Sequence, residues 1–476
     1  MSPSPTGAPR RWLGLALIAA AQFVVIMDTS IIGVALPDMQ AELGFTPESL
    51  SWVFNAYVIA FGGLLLLGGR LSDLLGARKV FLGGWLVLAA GSILAGAAGD
   101  AAVEIAGRAV QGAGAALIAP AALSLLMALF GGTSDLPKAL AVYGAAAPIG
   151  GTAGVFLGGV LTEYASWPWV FYITVPIAAL VIVLALVALP AIAGRRGSVD
   201  VIGAVTGTGG LAALVYGIVR APEVGWASPE TLVALGVGAV LLVLFFLVQA
   251  RSRQPLLRLG IFRAPQLGAA NLAQLLLGAA WVPMWFFLNL YLQQVLGAGA
   301  FAAGAALLPM TLLIVLGMTL VGPRLLARFG AKALIVAGFA FLAAGLVWLG
   351  FARPDGTYVL DVLPASLVAA FGMALTFVPS LGTAIAAARP EETGVASGLV
   401  NTSYQIGSAV GLAALTVLSS TIAAGGTTAE ALTTGYAAGF LGAAVIATVG
   451  GTLAAVTLRG RRTTEVADAE LVGADA

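Results

Sequence analysis

Two charges stand where an apolar chain can least tolerate them. Asp28 lies in M-D-T-S-I-I-G-V-A-L-P, near the end of an apolar run from Trp12 to about Ala35, and reads as the only acidic residue deep inside any such run. A carboxylate in hydrocarbon costs at least ~2.5–3.5 kcal/mol on insertion scales, so it reads as a functional site, most naturally one that binds a proton. Arg108 is a second charge inside an apolar run. At ~1.5 Å per residue, both lie roughly 8–11 Å below the same end of their segments and share a layer. A neighbouring cation favours the carboxylate and desolvation favours the acid. That opposition is what reversible proton binding requires. Two simpler readings stay open. Asp28 fixes packing alone, or Arg108 is neutralised by Glu104, four residues earlier on the same helical face.

A different chemistry marks the second part of the chain. Asn271, Gln274, Gly278, Trp285 and Asn289 fall within about 60° of one another on a helical wheel. Asn401, Tyr404, Gln405 and Ser408 follow at i, i+3, i+4 and i+7. Amides facing lipid are costly, so these faces line a cavity or hydrogen-bond neighbouring helices. Trp281, Met284 and Met310 nearby suit a bulky, partly apolar ligand. Pro283 is expected to bend its helix. Gly150, Gly154 and Gly158 recur every fourth residue, with Gly151 and Gly159 beside them, so another backbone can approach closely.

The elements that position these residues follow from composition. Of 476 residues 60% are hydrophobic and 9% charged, against about 25% charged in a soluble domain. This is a polytopic membrane protein. With no cysteine and no histidine, disulfides, thiolate chemistry, Cys/His metal sites and imidazole catalysis are excluded. A net charge of +1 without a basic run gives no sign of nucleic acid. The first apolar run, behind Arg10-Arg11, is too long for a signal-peptide core and reads as a retained span.

Fourteen helical spans are expected, at roughly 12–35, 50–68, 80–98, 103–128, 139–161, 169–190, 201–219, 231–250, 268–292, 303–322, 332–351, 360–385, 395–422 and 433–457. With the N-terminus inside, 19 of 22 Lys/Arg fall on inner segments. These are Arg10, Arg11, Arg70, Arg78, Lys79, Lys138, Arg195, Arg196, Arg251, Arg253, Arg258, Arg263, Arg324, Arg328, Lys332, Arg389, Arg459, Arg461 and Arg462. Arg220 and Arg353 fall outside, and Arg108 within a span. This asymmetry puts both termini in the cytoplasm.

The loop G-R-L-S-D-L-L-G-A-R-K, Gly69 to Lys79, recurs as P-R-L-L-A-R-F-G-A-K, Pro323 to Lys332. Gly76 then aligns with Gly330, Arg70 with Arg324, and Arg78 with Lys332. Tight turns are expected at Gly69 and Gly76, with Asp73 capping the next helix or pairing with Arg78. Two repeated membrane halves signal a transporter with its site between them. The expected division is a six-helix half at 1–190, two inserted helices and a linker at 191–265, a second six-helix half at 266–458 and a disordered cytoplasmic tail at 459–476.

In these features the chain resembles the fourteen-span drug:proton antiporter branch of the major facilitator superfamily. Gly69–Lys79 is similar to the superfamily's general signature. I-A-G-R-A-V-Q-G-A-G-A-A, Ile105 to Ala116, resembles its fourth-helix proton-coupling motif, and G-G-T-A-G-V-F-L-G-G, Gly150 to Gly159, its fifth-helix antiporter motif. M-D-T-S-I-I-G-V-A-L-P resembles the first-helix motif of the branch. Three positions depart. Val155 stands where the antiporter motif has Pro, the second-half loop lacks the acid because Ala327 matches Asp73, and Tyr404 stands where the thirteenth span usually has Arg. The resemblance implies an all-helical major facilitator fold and proton coupling by Asp28 and Arg108. It further implies an inner latch at Gly69, Asp73, Gly76 and Arg78, and a gating seam between halves at Gly150, Gly154 and Gly158. Asn271, Gln274, Trp285, Asn289, Asn401, Tyr404 and Gln405 are the expected substrate face. The expected protein is a monomer in a bacterial cytoplasmic membrane, with protons and a small hydrophobic or amphipathic molecule as its partners. No cofactor and no metal are expected, and it is not an enzyme. A proton symporter or facilitator is the alternative, favoured by Val155. A non-transporting receptor or a membrane enzyme is a more distant one.

Overall fold

The computed structural model describes the chain apart from residues 1–7, 47–48, 132, 192–193, 195–199, 253–254, 257–258, 261–265, 388–392 and 460–476. Arg195, Arg196, Arg253, Arg258, Arg263, Arg389, Arg461, Arg462 and the expected tail beyond Arg459 lie outside the described residues.

Among the described residues there is no strand. The helices are α1 (Ala8–Ser30), α2 (Leu36–Leu43), α3 (Trp52–Leu75), α4 (Ala77–Gly96), α5 (Ala101–Phe130), α6 (Leu136–Tyr164), α7 (Trp169–Tyr172), α8 (Thr174–Ala188), α9 (Val201–Val224), α10 (Pro229–Arg251), α11 (Leu267–Leu290), α12 (Ala300–Ala306), α13 (Leu308–Leu316), α14 (Gly322–Leu349), α15 (Leu363–Ala387), α16 (Thr393–Ala423) and α17 (Ala429–Thr457). Among the described residues, twelve helices are long and apolar enough to cross a membrane. There are thirteen if Ser49–Leu65 and Leu67–Leu75, bent by 49°, count as one span. The difference from fourteen centres on Ala300–Leu349, a 50-residue helical stretch where the sequence pattern separates two spans.

The two repeats are built alike because small residues recur at the same contacts. In the first, Gly84 and Gly91 of α4 meet the backbone of Gly114 and Gln111 on α5. In the second, Gly338 and Gly345 of α14 meet Gly372 and Ala369 on α15. Without a Cβ the paired helices approach to backbone contact, which replaces the hydrophobic drive that lipid cannot supply. The aligned loop glycines are matched too. Gly76 has φ 92° and Gly330 φ 79°, a region costly for other residues. Gly69 departs from expectation. It lies inside α3 with only ordinary contact to Pro120, so no turn forms there.

Helices begin where side chains satisfy their free N–H groups. Asp100 accepts from Ala102 and Val103 N–H at 2.9 and 3.0 Å and starts α5. Asp200, Ser228 and Thr428 cap α9, α10 and α17 in the same manner. Helices α9 and α10 pack on each other, and α9 also rests on α3 and α16, one helix from each repeat. Leu232, Val233, Val237, Val240 and Val243 of α10 are exposed, an apolar face suited to lipid.

Candidate proton-coupling site and the seam around it

The end of α1 is shaped locally. Thr29 and Ser30 hydroxyls donate back to the Ile26 carbonyl at 2.7 and 3.2 Å. Such back-bonding competes with the helical ladder and bends helices. Directly after it the chain tightens into a 3-10 turn, Ile31–Val34. Asp28 sits just before this break, completely buried.

Arg108 on α5 reaches it. One guanidinium nitrogen, Nη1, lies 2.8 Å from Asp28 Oδ2 and 2.7 Å from Gln111 Oε1. Nε donates to the Val53 carbonyl on α3 at 2.9 Å. The Tyr57 ring lies beneath the cation, 4.5 Å from its centroid, and the Tyr57 hydroxyl donates to the Val25 carbonyl at 3.3 Å. Gln111 closes the ring by donating to Asp28 Oδ1 at 3.0 Å and Ser92 Oγ at 2.9 Å. Both ions are 0% exposed. A buried pair of this kind needs further hydrogen bonds to offset its desolvation, and removing one partner costs about 3–5 kcal/mol. The alternative pairing of Arg108 with Glu104 is not the one formed. Both Glu104 oxygens lack a hydrogen-bond partner, and Glu104 is as buried as Asp28, so Asp28 is not the only deep acid.

The repeats close on each other at the end of the bundle that carries α2 and α12. Gly33 seats the Trp285 ring and the Asn289 amide of α11 so tightly that a Cβ there would overlap both. Phe54 of α3 meets Trp285 and Phe286 edge-on, at 5.7 and 5.8 Å between centroids. Gln294 donates to Gln40 on α2 at 3.1 Å and accepts from the Tyr436 hydroxyl. On α6, the Val155 carbonyl and Gly159 meet Gly304 and Ala300 of α12.

The glycine stripe needs correction on this point. Gly150, Gly154 and Gly158 pack against the backbone of Phe23, Met27 and Ile31, so they clamp α1 within the first repeat. The seam between repeats runs instead through Val155 and Gly159, on the adjacent face. The latch differs too. Asp73 is exposed and neither caps α4, whose N-cap is Gly76, nor pairs with Arg78. Arg78 donates to the Leu186 carbonyl on α8, a contact inside the first repeat.

The second-repeat face divides in two. Asn271 accepts from Ser403 at 2.9 Å and donates to the Leu267 carbonyl at 2.8 Å. Gln274 donates to Ser380 and the Phe377 carbonyl, both at 2.9 Å. These two tie α11 to α16 and α15. Trp285 and Asn289 face the first repeat, as does Gln405, whose side chain abuts Gly62. Tyr404 meets Phe377 edge-on at 5.5 Å, and Asn401 is also engaged. Asn289 Oδ1 and Gln274 Oε1 are buried without partners. Gln111, Ser92 and Tyr57 complete the charged network, and their residue types alone do not mark them in the sequence. Gln111 lies in the quoted A-V-Q-G run, three residues after Arg108, and that spacing was the available signal.

Repeated helical halves, broken helices at their meeting point and a buried ion network define a secondary transporter of the membrane. The chain belongs to the Major Facilitator Superfamily, whose family model matches residues 18–412. It is 42% identical over 436 residues to the cephamycin export protein of Amycolatopsis lactamdurans, covering 90% of this chain and 89% of that one. It is 39% identical over 414 residues to the puromycin resistance protein of Streptomyces alboniger, covering 86% and 82%. The tetracenomycin C resistance and export protein of Streptomyces glaucescens is 31% identical over 86% of this chain and 76% of its own. In fold, a crystal structure of the nucleoside transporter NupG superposes with TM-score 0.66 at 14% identity, covering 93% and 99%.

Proposed function

We propose that this chain is a proton-driven exporter of hydrophobic or amphipathic antibiotics and similar small molecules. The observation that carries the reading is the fully buried Asp28–Arg108–Gln111 network, set against the closed end of the bundle. Relatives whose names denote cephamycin export, puromycin resistance and tetracenomycin C export supply the substrate class. In this reading the closed α2–α12 end faces outward and both termini are cytoplasmic, by the Lys/Arg bias. Counting Ala300–Leu349 as two crossings, with the bent α3 as one, brings the total to fourteen. The chain divides at 1–190, 191–265 and 266–458, and acts as a monomer in the bacterial cytoplasmic membrane. A proton arriving from outside releases Asp28 from Arg108, which loosens the α1–α5 contact beside the seam, and substrate leaves.

The test has two parts. Pump-deficient cells with and without the protein are challenged with puromycin, a cephamycin, methylenomycin A, tetracenomycin C and ethidium. Everted vesicles then report proton flux when an exported compound is added. Resistance together with proton efflux from the vesicle lumen supports the reading. Proton flux running in the same direction as the compound would instead make the protein a symporter, the reading Val155 favours. Absence of any flux would return it to a receptor.

A further inference from the structure

Glu104 is the buried acid that the coupling network leaves unused. It lies on the first turn of α5, four residues before Arg108, and is 0% exposed. Among the described residues neither of its oxygens finds a hydrogen-bond donor. Arg108 is also incompletely satisfied, because Nη2 has no partner while Nε and Nη1 do. One orphaned donor and two orphaned acceptors therefore sit one helical turn apart on the same face, about 6 Å in rise. The charged and titratable groups around Glu104 are few. Its own helix supplies Arg108 and the capping Asp100, α1 supplies Asp28 and α3 supplies Tyr57. The charges of α4, Arg78 and Lys79, are at its far end, α7 supplies only the Tyr172 hydroxyl, and α8 contains no titratable group. Glu163 on α6 is turned toward Gly299 and the Phe301 N–H of the second repeat.

We propose that Glu104 is a second proton-carrying residue and the alternate counter-ion of Arg108. A carboxylate without hydrogen bonds is not tolerated in so dry a site. Glu104 thus holds a proton while Arg108 is held by Asp28. When the seam opens, Glu104 gives up that proton and Asp28 takes one up, with admitted water as carrier. Arg108 moves from the one carboxyl to the other. The O–H bond broken on Glu104 is matched by the one formed on Asp28, and the three groups keep one net charge pair throughout. No step leaves the guanidinium alone in hydrocarbon. In the return step Asp28 releases its proton toward the cytoplasmic side as Glu104, nearer the closed end than Arg108, takes one up from the outer side. One O–H bond again breaks as another forms, the charge pair is kept, and one proton is carried inward per cycle. The inference rests on the coupling reading above.

The experiment compares wild type, Glu104→Gln, Glu104→Asp and Asp28→Asn in proteoliposomes, using the compound of the panel that the wild type exports best. ΔpH-driven export and pH-independent counterflow are both measured. Glu104→Gln keeps shape and burial, and should lose ΔpH-driven export by about 10²-fold while retaining counterflow. Glu104→Asp should restore drive with a displaced pH profile. If Glu104→Gln drives export at the wild-type rate and pH profile while Asp28→Asn does not, this inference fails alone. If Glu104→Gln loses counterflow together with drive, Glu104 is structural and the inference also fails. If Asp28→Asn keeps wild-type drive, or the wild type exports nothing, the coupling reading itself falls.

Discussion

The two repeats share a scaffold and differ in chemistry at its centre. Gly150 and Gly154 sit on Phe23 and Met27 as Gly407 and Gly411 sit on Leu275 and Ala279. Carried along the chain, that match sets Asp28 opposite Ala280. On the other helix pair, Gly91 meets Gln111 as Gly345 meets Ala369, which sets Arg108 opposite Ser366. Ser92 likewise falls opposite Leu346. Asp28, Arg108, Gln111 and Ser92 thus each have an apolar or small counterpart, and those four counterparts are buried. One polar position survives in both. Gln22 accepts from Tyr143 at 2.9 Å in the first repeat, and its counterpart Gln274 binds α15 in the second. Backbone packing is what the duplication retains. The charge belongs to one copy, and the aromatic and amide face to the other.

The sharpest way to break this comparison is to strike both copies at one position. Arg108→Ala should cost about 3–5 kcal/mol by leaving Asp28 buried and unpaired. Ser366→Ala, whose hydroxyl only bonds the Leu363 carbonyl of its own helix at 2.9 Å, should cost under about 0.5 kcal/mol. Thermal unfolding of the purified protein in detergent reads both. Equal losses would show that the asymmetry has no energetic meaning.

The scaffold should respond symmetrically. Gly154→Leu and Gly411→Leu each force a side chain into a backbone contact and should each cost at least about 1–3 kcal/mol, with similar loss of folded protein in the membrane. A large difference between them would mean the two clamps are not equivalent.

Compound preference should respond to the second copy alone. Trp285→Ala and Tyr404→Ala should reorder the resistance profile by about 10–100-fold for individual compounds, the scale of 1–3 kcal/mol per small group. Gln274→Ala, which breaks a tie between helices, should lower resistance to every compound in parallel. If Trp285→Ala also lowers all compounds by one factor, the aromatic seat is only a gate.

The smallest effect lies at the rim. Burial, followed by the charges of Glu42 and Glu163, holds the Asp38 carboxyl above its ordinary range. Its native state therefore binds a proton more readily than its unfolded state, and stability rises as pH falls through the native value. Asp38→Asn should stabilise the protein slightly at neutral pH, and the gain should fade in mild acid. Unfolding curves measured across that interval check the sign.

How much of this was legible in sequence depended on rarity. Asp28 and Arg108 stood out because charge is scarce in apolar runs, and their shared depth became a 2.8 Å contact. Gln111 stayed hidden because an amide beside glycines has many innocent readings. Glu104 is the second residue of the apolar run that starts at 103, a place that gives no sign of depth in sequence, whereas three-dimensional packing buries it fully. Spacing exposed the glycine stripe but could not name its partner, since a small residue accepts any backbone. Asp73 has the residue type and loop position of a helix cap or an Arg78 partner, but the α4 N-cap is Gly76 and Arg78 reaches α8 instead. The Gly76 turn was readable because a positive-φ backbone narrows the choice of residue, and Gly330, aligned with it by the repeat, shares that backbone.

The placement of α9 and α10 bears on how a solute dissolved in the bilayer meets the protein. Because α9 lies across α3 and α16, it shutters one flank of the gap between the repeats, and α10 shields α9 in turn. On the opposite flank, where α6 meets α12 and α13, no helix among the described residues lies across the gap in this way. Among the described residues, a compound diffusing sideways in the membrane thus meets one flank walled by α9 and α10 and one formed by α6, α12 and α13 alone.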